Sequence, residues 1–290
     1  MRIAQISDLH FTHLTWNPLR LFSKRFLGHV NWFFSRKNNF SKTQLESLPK
    51  LFSDLGVDLV LIGGDLSTTA LSKEFETAKE FVKKIKQPWI ATAGNHDHYT
   101  WRSFRNKHFY RYFTNERKEL THTAEFFTLK EHGIEAHPIK DGWWVIVLDT
   151  ARATNPYSSR GLFSEKLEAR LDEALRLIPK TDSILFMNHY PFFQNDDPRR
   201  ALKRGDALEK KIKNDPRIRI YLHGHTHRHT VANLQPNDLP LILDSGSAAM
   251  TERGTWNLIE VSDSGCTVEP YCWKNGWQKE QKESFSWTRK

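Results

Sequence analysis

Short apolar runs that end in polar, glycine-containing turns recur along the 290-residue sequence. Runs of this kind predict buried β-strands, because a strand covered on both faces needs apolar side chains at successive positions. The predicted strands are Ile3–Ser7, Val57–Ile62, Trp89–Ala93, Trp143–Leu148, Ile184–Met187, Ile218–Leu222 and Leu241–Leu243.

Between several of these runs, apolar residues recur at helical spacing. Ser72–Ile85 and Ser164–Ile178 each begin with a serine suited to capping a helix and then carry one apolar face. Alternating strands and helices predict a layered α/β architecture. From Val231 onward the helical periodicity fades, so we expect a β-rich end. The sequence contains neither an internal repeat nor a separating linker, and we expect a single domain over residues 1–290.

The net charge and the cysteines limit the classes of protein to which this chain can belong. A formal net charge of +9 suits an anionic partner, whether nucleic acid, acidic lipid or a phosphorylated substrate. We expect no signal peptide, because the opening residues Met1–Ile6 form a strand pattern. The sequence contains no apolar run of about 18 residues, the length needed to span a membrane. Cys266 and Cys272 lie too far apart along one predicted strand for a mutual disulfide. We therefore expect a cytoplasmic protein in a reducing compartment.

Side chains that bind metal ions follow five of the predicted strands. Because ligands of open α/β sheets lie beyond the carboxyl ends of strands, these side chains are expected to meet at one site. Each motif alone could be a strand-end turn or a helix cap, but their combination in one chain indicates a metal centre. Carboxylate, amide and imidazole ligands together favour Mn, Fe or Zn. The motifs are Ser7-Asp8-Leu9-His10, Gly63-Gly64-Asp65, Gly94-Asn95-His96-Asp97, Asn188-His189 and His223-Gly224-His225-Thr226-His227.

This ordered set of motifs resembles the calcineurin-like metallophosphoesterases from Asp8 to His227. The resemblance implies a four-layer α/β/β/α sandwich, here with a hydrophobic helical cap insertion. It also implies hydrolysis of a phosphate ester or anhydride with two divalent ions, Mn being expected and Fe or Zn the alternatives. It implies that Asp65 bridges the ions, that His96 protonates the leaving group and that Asp97 orients His96. The implied ligands are Asp8, His10, Asp65 and His227 for one ion, and Asp65, Asn95, His189 and His225 for the other.

Two further polar residues are candidates for substrate binding. His223 precedes the Gly-His-Thr-His motif and either contacts phosphate or packs in the interior. Arg152 follows a strand end and either binds phosphate through its guanidinium group or points into solvent.

Two segments beside the metal motifs combine aromatic and basic residues. The first cap segment, residues 14–40, carries an apolar stripe at helical spacing, and no acid occurs from Leu9 to Leu45. The second cap segment, residues 99–120, is also rich in aromatic and basic residues, including Trp101. Both begin a few residues after metal ligands and should border the site. Within the first cap segment, Phe22, Phe26 and Trp32 are candidate substrate contacts.

These segments allow three interpretations. They are a lipid-binding cap, lid helices whose aromatics pack into the core, or, least favoured, a stacking surface for nucleic acid. A lipid-binding cap implies a peripheral enzyme on an anionic membrane that cleaves a lipid-linked pyrophosphate. UDP-2,3-diacylglucosamine pyrophosphatases of lipid A synthesis, which release UMP and a lipid monophosphate, are the family members that this pattern resembles.

The sequence leaves two other functions open. The alternative enzyme is a soluble phosphodiesterase acting on cyclic nucleotides or other small diesters. A metal-stabilised scaffold for protein partners is disfavoured by the presence of His96, and the sequence indicates no obligate protein partner.

Overall fold

A computed structural model of the chain describes residues 1–13, 42–115, 127–193 and 197–288. Phe22, Phe26, Trp32 and the rest of the first cap segment lie outside these residues. The second cap segment is described as far as residue 115.

One sheet is built around the first strand of the chain. Its order is β14-β13-β12-β1-β2-β3, and β15 also pairs with β13. Strand β1 pairs in parallel with β2 and β2 with β3, whereas β1 pairs antiparallel with β12. The carboxyl ends of β1, β2 and β3 therefore meet at one edge. The strands are β1 (Arg2–Ile6), β2 (Leu59–Ile62), β3 (Trp89–Ala91), β12 (Thr255–Val261), β13 (Gly265–Trp273), β14 (Trp277–Lys279) and β15 (Glu283–Ser286).

A second sheet has the order β10-β11-β9-β7-β5-β4. Strands β5, β7, β9 and β11 run parallel, and the edge strands β4 and β10 pair antiparallel. Two short strands, β6 (Gly161–Leu162) and β8 (Leu202–Lys203), form a separate parallel pair. The strands of the second sheet are β4 (Ile134–Pro138), β5 (Trp143–Leu148), β7 (Ser183–Asn188), β9 (Ile218–His223), β10 (His229–Asn233) and β11 (Leu241–Ser245).

Alternation along β5 shows how the layers stack. Val145 and Val147 belong to the core shared with the first sheet, whereas Ile146 and Leu148 belong to a second core with helix α5. The first core also takes in the apolar faces of α1 and α2. The result is the expected four-layer α/β/β/α sandwich. The helices are α1 (Lys42–Asp54), α2 (Ser72–Val82), α3 (Trp101–Arg105), α4 (Leu129–His132), α5 (Glu165–Leu177) and α6 (Gly205–Asn214), with 3₁₀ turns at Phe109–Arg111 and Gln235–Asn237.

Most predicted strands and both predicted helices are confirmed, with shifted ends. Ser164 caps α5 as expected, its Oγ accepting a hydrogen bond from Leu167 N at 3.2 Å. Ser72 does not cap α2: the cap position is Leu71, and the Glu74 carboxylate accepts from Leu71 N at 3.1 Å. Helix α2 ends at Val82 rather than at residue 85 because the chain continues in a tighter turn.

The described part of the second cap segment packs largely into the core. Phe109, Tyr110 and Phe113 are buried, and the ring centroids of Phe75 and Phe109 lie 6.1 Å apart. Core packing therefore accounts for these aromatics. Trp101 is different, since 51% of it is exposed.

Two other expectations can be compared with the structure. Both cysteines lie on β13 as free thiols, Cys266 buried and Cys272 partly exposed, which confirms the absence of a mutual disulfide. Among the helices that the structure describes, none has the length and apolar character needed to cross a membrane.

Candidate metal centre

The loops that follow five strands bring the predicted ligands to one edge of the sandwich. The loop after β1 is fastened to the loop after β2 by hydrogen bonds from Asp8 N to Gly64 O at 3.0 Å and from His10 N to Asp65 O at 2.9 Å. The loops after β7 and β9 are joined by Gly224 N donating to His189 O at 3.1 Å. Both sheets therefore contribute ligands to the same site.

Asp8, His10 and His227 form the first group of ligands. Nε2 of His10 and Nε2 of His227 lie 3.0 Å apart. Asp8 Oδ1 lies 3.1 Å from His227 Nε2 and 3.7 Å from His10 Nε2. Ligand atoms of all three residues fall within 4.8 Å of one another, a spacing that one cation can span.

Asp65, Asn95 and His189 form the second group. His189 Nε2 lies 3.4 Å from Asp65 Oδ2 and 3.3 Å from Asn95 Oδ1. The same Asp65 oxygen is 4.0 Å from His10 Nε2 in the first group. Asp65 therefore stands between the two groups, where a bridging carboxylate is required.

His225 adjoins the second group. Its ring centroid is 5.1 Å from that of His189, and its Nε2 donates to the carbonyl oxygen of Arg200 at 2.9 Å. Burial and the neighbouring His189 hold the pKa of His225 well below its usual range. A neutral ring that donates through Nε2 keeps the lone pair of Nδ1 for a metal ion.

The surroundings of the ligands fit divalent ions. His189 Nδ1 donates to Gly63 O at 2.8 Å, which reserves Nε2 for a metal. Asp8 Oδ2 accepts from Ser7 Oγ at 2.6 Å and from His225 N at 3.0 Å. In contrast, Asp8 Oδ1 is buried and, among the described residues, faces the imidazole Nε2 atoms of His227 and His10 without a well-formed hydrogen bond. A buried carboxylate oxygen needs a partner, and a cation between Asp8 and the imidazoles supplies one.

The pKa values of the ligand side chains show that the site favours positive charge, whether a proton or a metal ion carries it. Burial opposes ionisation of Asp8, but His227 and His189 lower its pKa below the usual range. Burial likewise disfavours a charged His189, but the Asp65 carboxylate raises the pKa of His189 to about 10. The site therefore stabilises positive charge strongly.

Backbone strain is concentrated at the ligand positions. Side chains other than glycine rarely adopt positive φ, because Cβ clashes with the backbone. The loops adopt it at five ligands, which fixes where their side chains are directed. The φ angles are 55° at Asp8, 46° at His10, 53° at Asp65, 68° at His225 and 56° at His227.

Two glycines allow the loops to approach each other closely. A Cβ at Gly94 would lie 2.1 Å from Asp65 Oδ1, and one at Gly224 would lie 2.4 Å from Asp8 Oδ2. Any larger residue at either position would displace a ligand carboxylate.

His96 lies beside the two groups, close enough to His10 and Asp65 for ligand atoms of all three to fall within 4.8 Å. Its Nδ1 donates to Thr68 O at 2.6 Å, and its ring stacks on Tyr99 with centroids 5.6 Å apart. Thr68 O accepts the Nδ1 hydrogen bond of His96, and the expectation that Asp97 orients this ring stays a prediction. The Asp97 carboxylate accepts from Leu66 N, Ser67 N, Ser67 Oγ and Gly94 N.

The ligands open into a cavity of about 400 Å³, here called the metal cavity. Asp65, Asn95, His96, His225 and His227 line its base, and further polar side chains line its walls.

The two other candidate polar residues do not line the metal cavity. His223 is buried, its Nδ1 donates to Gly224 O at 3.1 Å, and it does not line the metal cavity, so the interior alternative describes it. Arg152 lines two neighbouring cavities instead of the metal cavity.

Sequence reasoning missed Thr68 and Arg200. Both act through their main-chain carbonyl oxygens, which hold His96 and His225 in position. Because any residue type carries a carbonyl oxygen, no sequence motif reports this role.

The sandwich and its paired ligand groups, which share Asp65, define a dinuclear-metal hydrolase. A model of the calcineurin-like phosphoesterase family matches residues 1–229. The chain belongs to this calcineurin-like phosphoesterase family. It is a metal-dependent phosphoester hydrolase with candidate ligands for two divalent ions.

Similar proteins are consistent with this assignment. The chain is 26% identical over 216 residues to a probable cyclic nucleotide phosphodiesterase of Synechococcus, covering 72% of this chain and 73% of that protein. A dimetal phosphatase from Danio rerio has a similar fold, with a TM-score of 0.67 at 12% identity over 99% of both chains. A purple acid phosphatase of yellow lupin gives a TM-score of 0.60 at 11% identity, covering 98% of this chain and 53% of that one.

Proposed function

We propose that this protein hydrolyses a lipid-linked pyrophosphate such as UDP-2,3-diacylglucosamine, releasing UMP and a lipid monophosphate. The metal is Mn²⁺, and the enzyme works in peripheral contact with an anionic membrane. The observation that carries the proposal is a row of three adjoining cavities whose chemistry changes with distance from the metal ligands.

The second cavity in the row, here called the basic cavity, has a volume of about 400 Å³. It shares walls with the metal cavity at Thr154, Tyr157, Ser158 and Arg199. A substrate bound at the metal ligands can therefore extend into it.

The third cavity, here called the apolar cavity, has a volume of about 590 Å³ and meets the basic cavity at Trp101 and Arg152. Its apolar residues are suited to acyl chains and the bases to an anionic surface. The row thus suits a substrate with phosphates at one end and an apolar group at the other. The apolar cavity is lined by Phe104, Leu129, Leu162 and Leu167, with Arg105, Lys107, Lys130, Lys166 and Arg170 among the bases and Glu131 and Asp149 as acids.

The site residues have distinct roles in such a reaction. Two bound divalent ions supply a nucleophile at neutral pH and neutralise charge on the transferred phosphoryl group. Asp65 fixes the spacing of the two ligand groups. His96, held through Nδ1 by Thr68, keeps Nε2 for a proton that passes to the departing oxygen.

A second candidate is the hydrolysis of cyclic nucleotides. It is supported by the similarity to the probable cyclic nucleotide phosphodiesterase of Synechococcus. A cyclic nucleotide has a single phosphate and no acyl chain, so it would leave the apolar cavity unused.

The test is UMP release from UDP-2,3-diacylglucosamine in detergent micelles by Mn-loaded protein, beside a His96→Ala variant. Cyclic AMP and bis(p-nitrophenyl) phosphate are assayed in parallel. We expect rapid UMP release by the wild type and slower release by the variant, with a modest loss because the lipid monophosphate leaves as a weakly basic anion. Hydrolysis of cyclic AMP and the aryl diester without UMP release would replace the proposal with the second candidate.

A further inference from the structure

Among the described residues that line the basic cavity, four carry cationic side chains and none carries a carboxylate. They are Arg152, Arg160, Arg199 and Lys203. A concave surface lined by one sign of charge attracts the opposite charge. The cavity is therefore suited to an anion.

Two of these cationic side chains already interact with other residues of the protein. Arg199 pairs with Asp197 at 2.6 Å, and Arg160 Nε donates to Pro198 O at 2.6 Å. In the part of the chain that the structure describes, Arg152 and Lys203 form neither an ion pair nor a side-chain hydrogen bond. They are available to bind a ligand.

Exposed aromatic residues flank the same cations. Trp101 is 51% exposed and Tyr157 is 80% exposed, and both line the basic cavity. Large apolar side chains in solvent beside a binding cavity mark a contact surface for ligand. A sugar or another flat group can pack against them.

We infer that the basic cavity binds the second phosphate of a P–O–P substrate, with Arg152 and Lys203 as its anion ligands and Trp101 and Tyr157 covering the attached group. This inference rests on the proposed function for the type of bond. Water adds across the P–O–P bond: its oxygen bonds to the attacked phosphorus, and the bridging oxygen departs with the second phosphate. Because the basic cavity lies between the metal and apolar cavities, the second phosphate is the one that departs with the lipid.

The first experiment compares substrates with and without a second phosphate. The measured quantity is kcat/KM for UDP-2,3-diacylglucosamine and for UDP-glucose, each divided by kcat/KM for bis(p-nitrophenyl) phosphate. We expect Arg152→Ala and Lys203→Ala each to lower this ratio about 10-fold or more, the loss of a hydrogen bond to a charged group. The controls Arg176→Ala and Lys210→Ala remove exposed bases elsewhere and should leave the ratio as in wild type. A ratio unchanged in Arg152→Ala and Lys203→Ala would overturn the inference while the proposed function stands.

A second measurement does not depend on turnover of a pyrophosphate. Glucose 1-phosphate, a sugar monophosphate, is used to inhibit hydrolysis of bis(p-nitrophenyl) phosphate. A Ki raised about 10-fold in Lys203→Ala, but not in Lys210→Ala, would support the subsite even if neither UDP substrate is cleaved. Equal inhibition of wild type and Lys203→Ala would overturn it.

Discussion

His96 lines the metal cavity and is held there by its hydrogen bond to Thr68 O at 2.6 Å. The carbonyl can only accept, so Nδ1 carries a proton and Nε2 is the nitrogen that exchanges protons with substrate. This geometry makes His96 a general acid whose importance depends on how strongly the leaving oxygen needs a proton.

His96→Ala should therefore affect substrates unequally. For an alkyl leaving group we expect kcat to fall about 100-fold or more, because the alkoxide must be protonated as it leaves. For p-nitrophenolate, which leaves unprotonated, we expect a much smaller loss. Steady-state kinetics on both substrates, with metal content measured on the same samples, provides the check. Equal losses on both, or loss of metal, would mean that His96 is a ligand instead.

The raised pKa of His189 predicts that metal binding depends on pH. In the metal-free protein burial opposes its charge, but Asp65 raises its pKa to about 10, so Nε2 carries a proton near neutral pH. A metal ion must displace that proton, and affinity should therefore rise with pH up to about 10 and fall as pH falls.

Calorimetric titration with Mn²⁺ in two buffers of different ionisation enthalpy measures this proton. We expect release of about one proton attributable to His189, which His189→Ala would abolish. Identical heats in both buffers would contradict the assignment.

The residue types at the site could be predicted from sequence, since Asp, Asn and His after apolar strands already indicate metal ligands. The backbone conformation could not. Positive φ at Asp8, His10 and Asp65 is imposed by contacts between loops that are distant in sequence. For the same reason the hydrogen bonds of the Asp97 carboxylate to backbone amides could not be foreseen.

At the scale of elements, Asp97 ties the loop after β2 to the loop after β3. Its carboxylate accepts from Ser67 N at 2.8 Å and from Gly94 N at 3.0 Å. Burial and the Asp65 charge raise the pKa of Asp97 to about 7, so this link is made at an electrostatic cost. Two loops that carry ligands are thereby fixed relative to each other.

Asp97→Ala should lower the free energy of unfolding by about 3 kcal/mol, because several buried donors lose their acceptor. Urea denaturation of the metal-free protein measures the change. Asp54→Ala is the control: Asp54 is exposed and, among the described residues, pairs with Lys50 alone, on the same helix, so its loss should cost about 0.5 kcal/mol or less. Similar changes in the free energy of unfolding for both variants would show that Asp97 does not hold the two loops together.

The apolar runs identified the strands because these strands are buried on both faces, as in Leu59–Ile62. Element ends were less predictable. Val57 was expected to begin β2, but its amide donates to Phe52 O and closes α1. Glu74 rather than Ser72 satisfies the first amides of α2, since the preceding turn brings Thr69 N and Leu71 N onto its carboxylate.

At the scale of the whole molecule, the order of strands in the two sheets lay beyond sequence reasoning. Strand β1 pairs with β12, more than two hundred residues away, and no local pattern specifies that pairing. The metal centre depends on how the two sheets are arranged, because the ends of β7 and β9 in one sheet must face those of β1, β2 and β3 in the other.

The net charge of +9 and the basic first cap segment predict membrane binding. Sedimentation with vesicles rich in phosphatidylglycerol should show binding that weakens as salt rises. Arg20→Glu, Lys24→Glu and Arg25→Glu combined should abolish it. The control Lys79→Glu, Lys83→Glu and Lys84→Glu changes the overall charge equally, on exposed positions of α2 and the turn after it. Equal losses in both triple variants would indicate a general charge effect and contradict a specific membrane-binding segment.

We expect Asp65 to join two metal sites into one catalytic centre. The most direct test measures bound metal per chain by mass spectrometry, together with kcat for bis(p-nitrophenyl) phosphate, in wild type and Asp65→Asn. We predict about two ions per wild-type chain, and in the variant fewer ions and a kcat lower by about 1,000-fold, since the paired ions provide the nucleophile. A variant that keeps both its ions and its activity, or a wild type that remains active after chelation, would contradict the account.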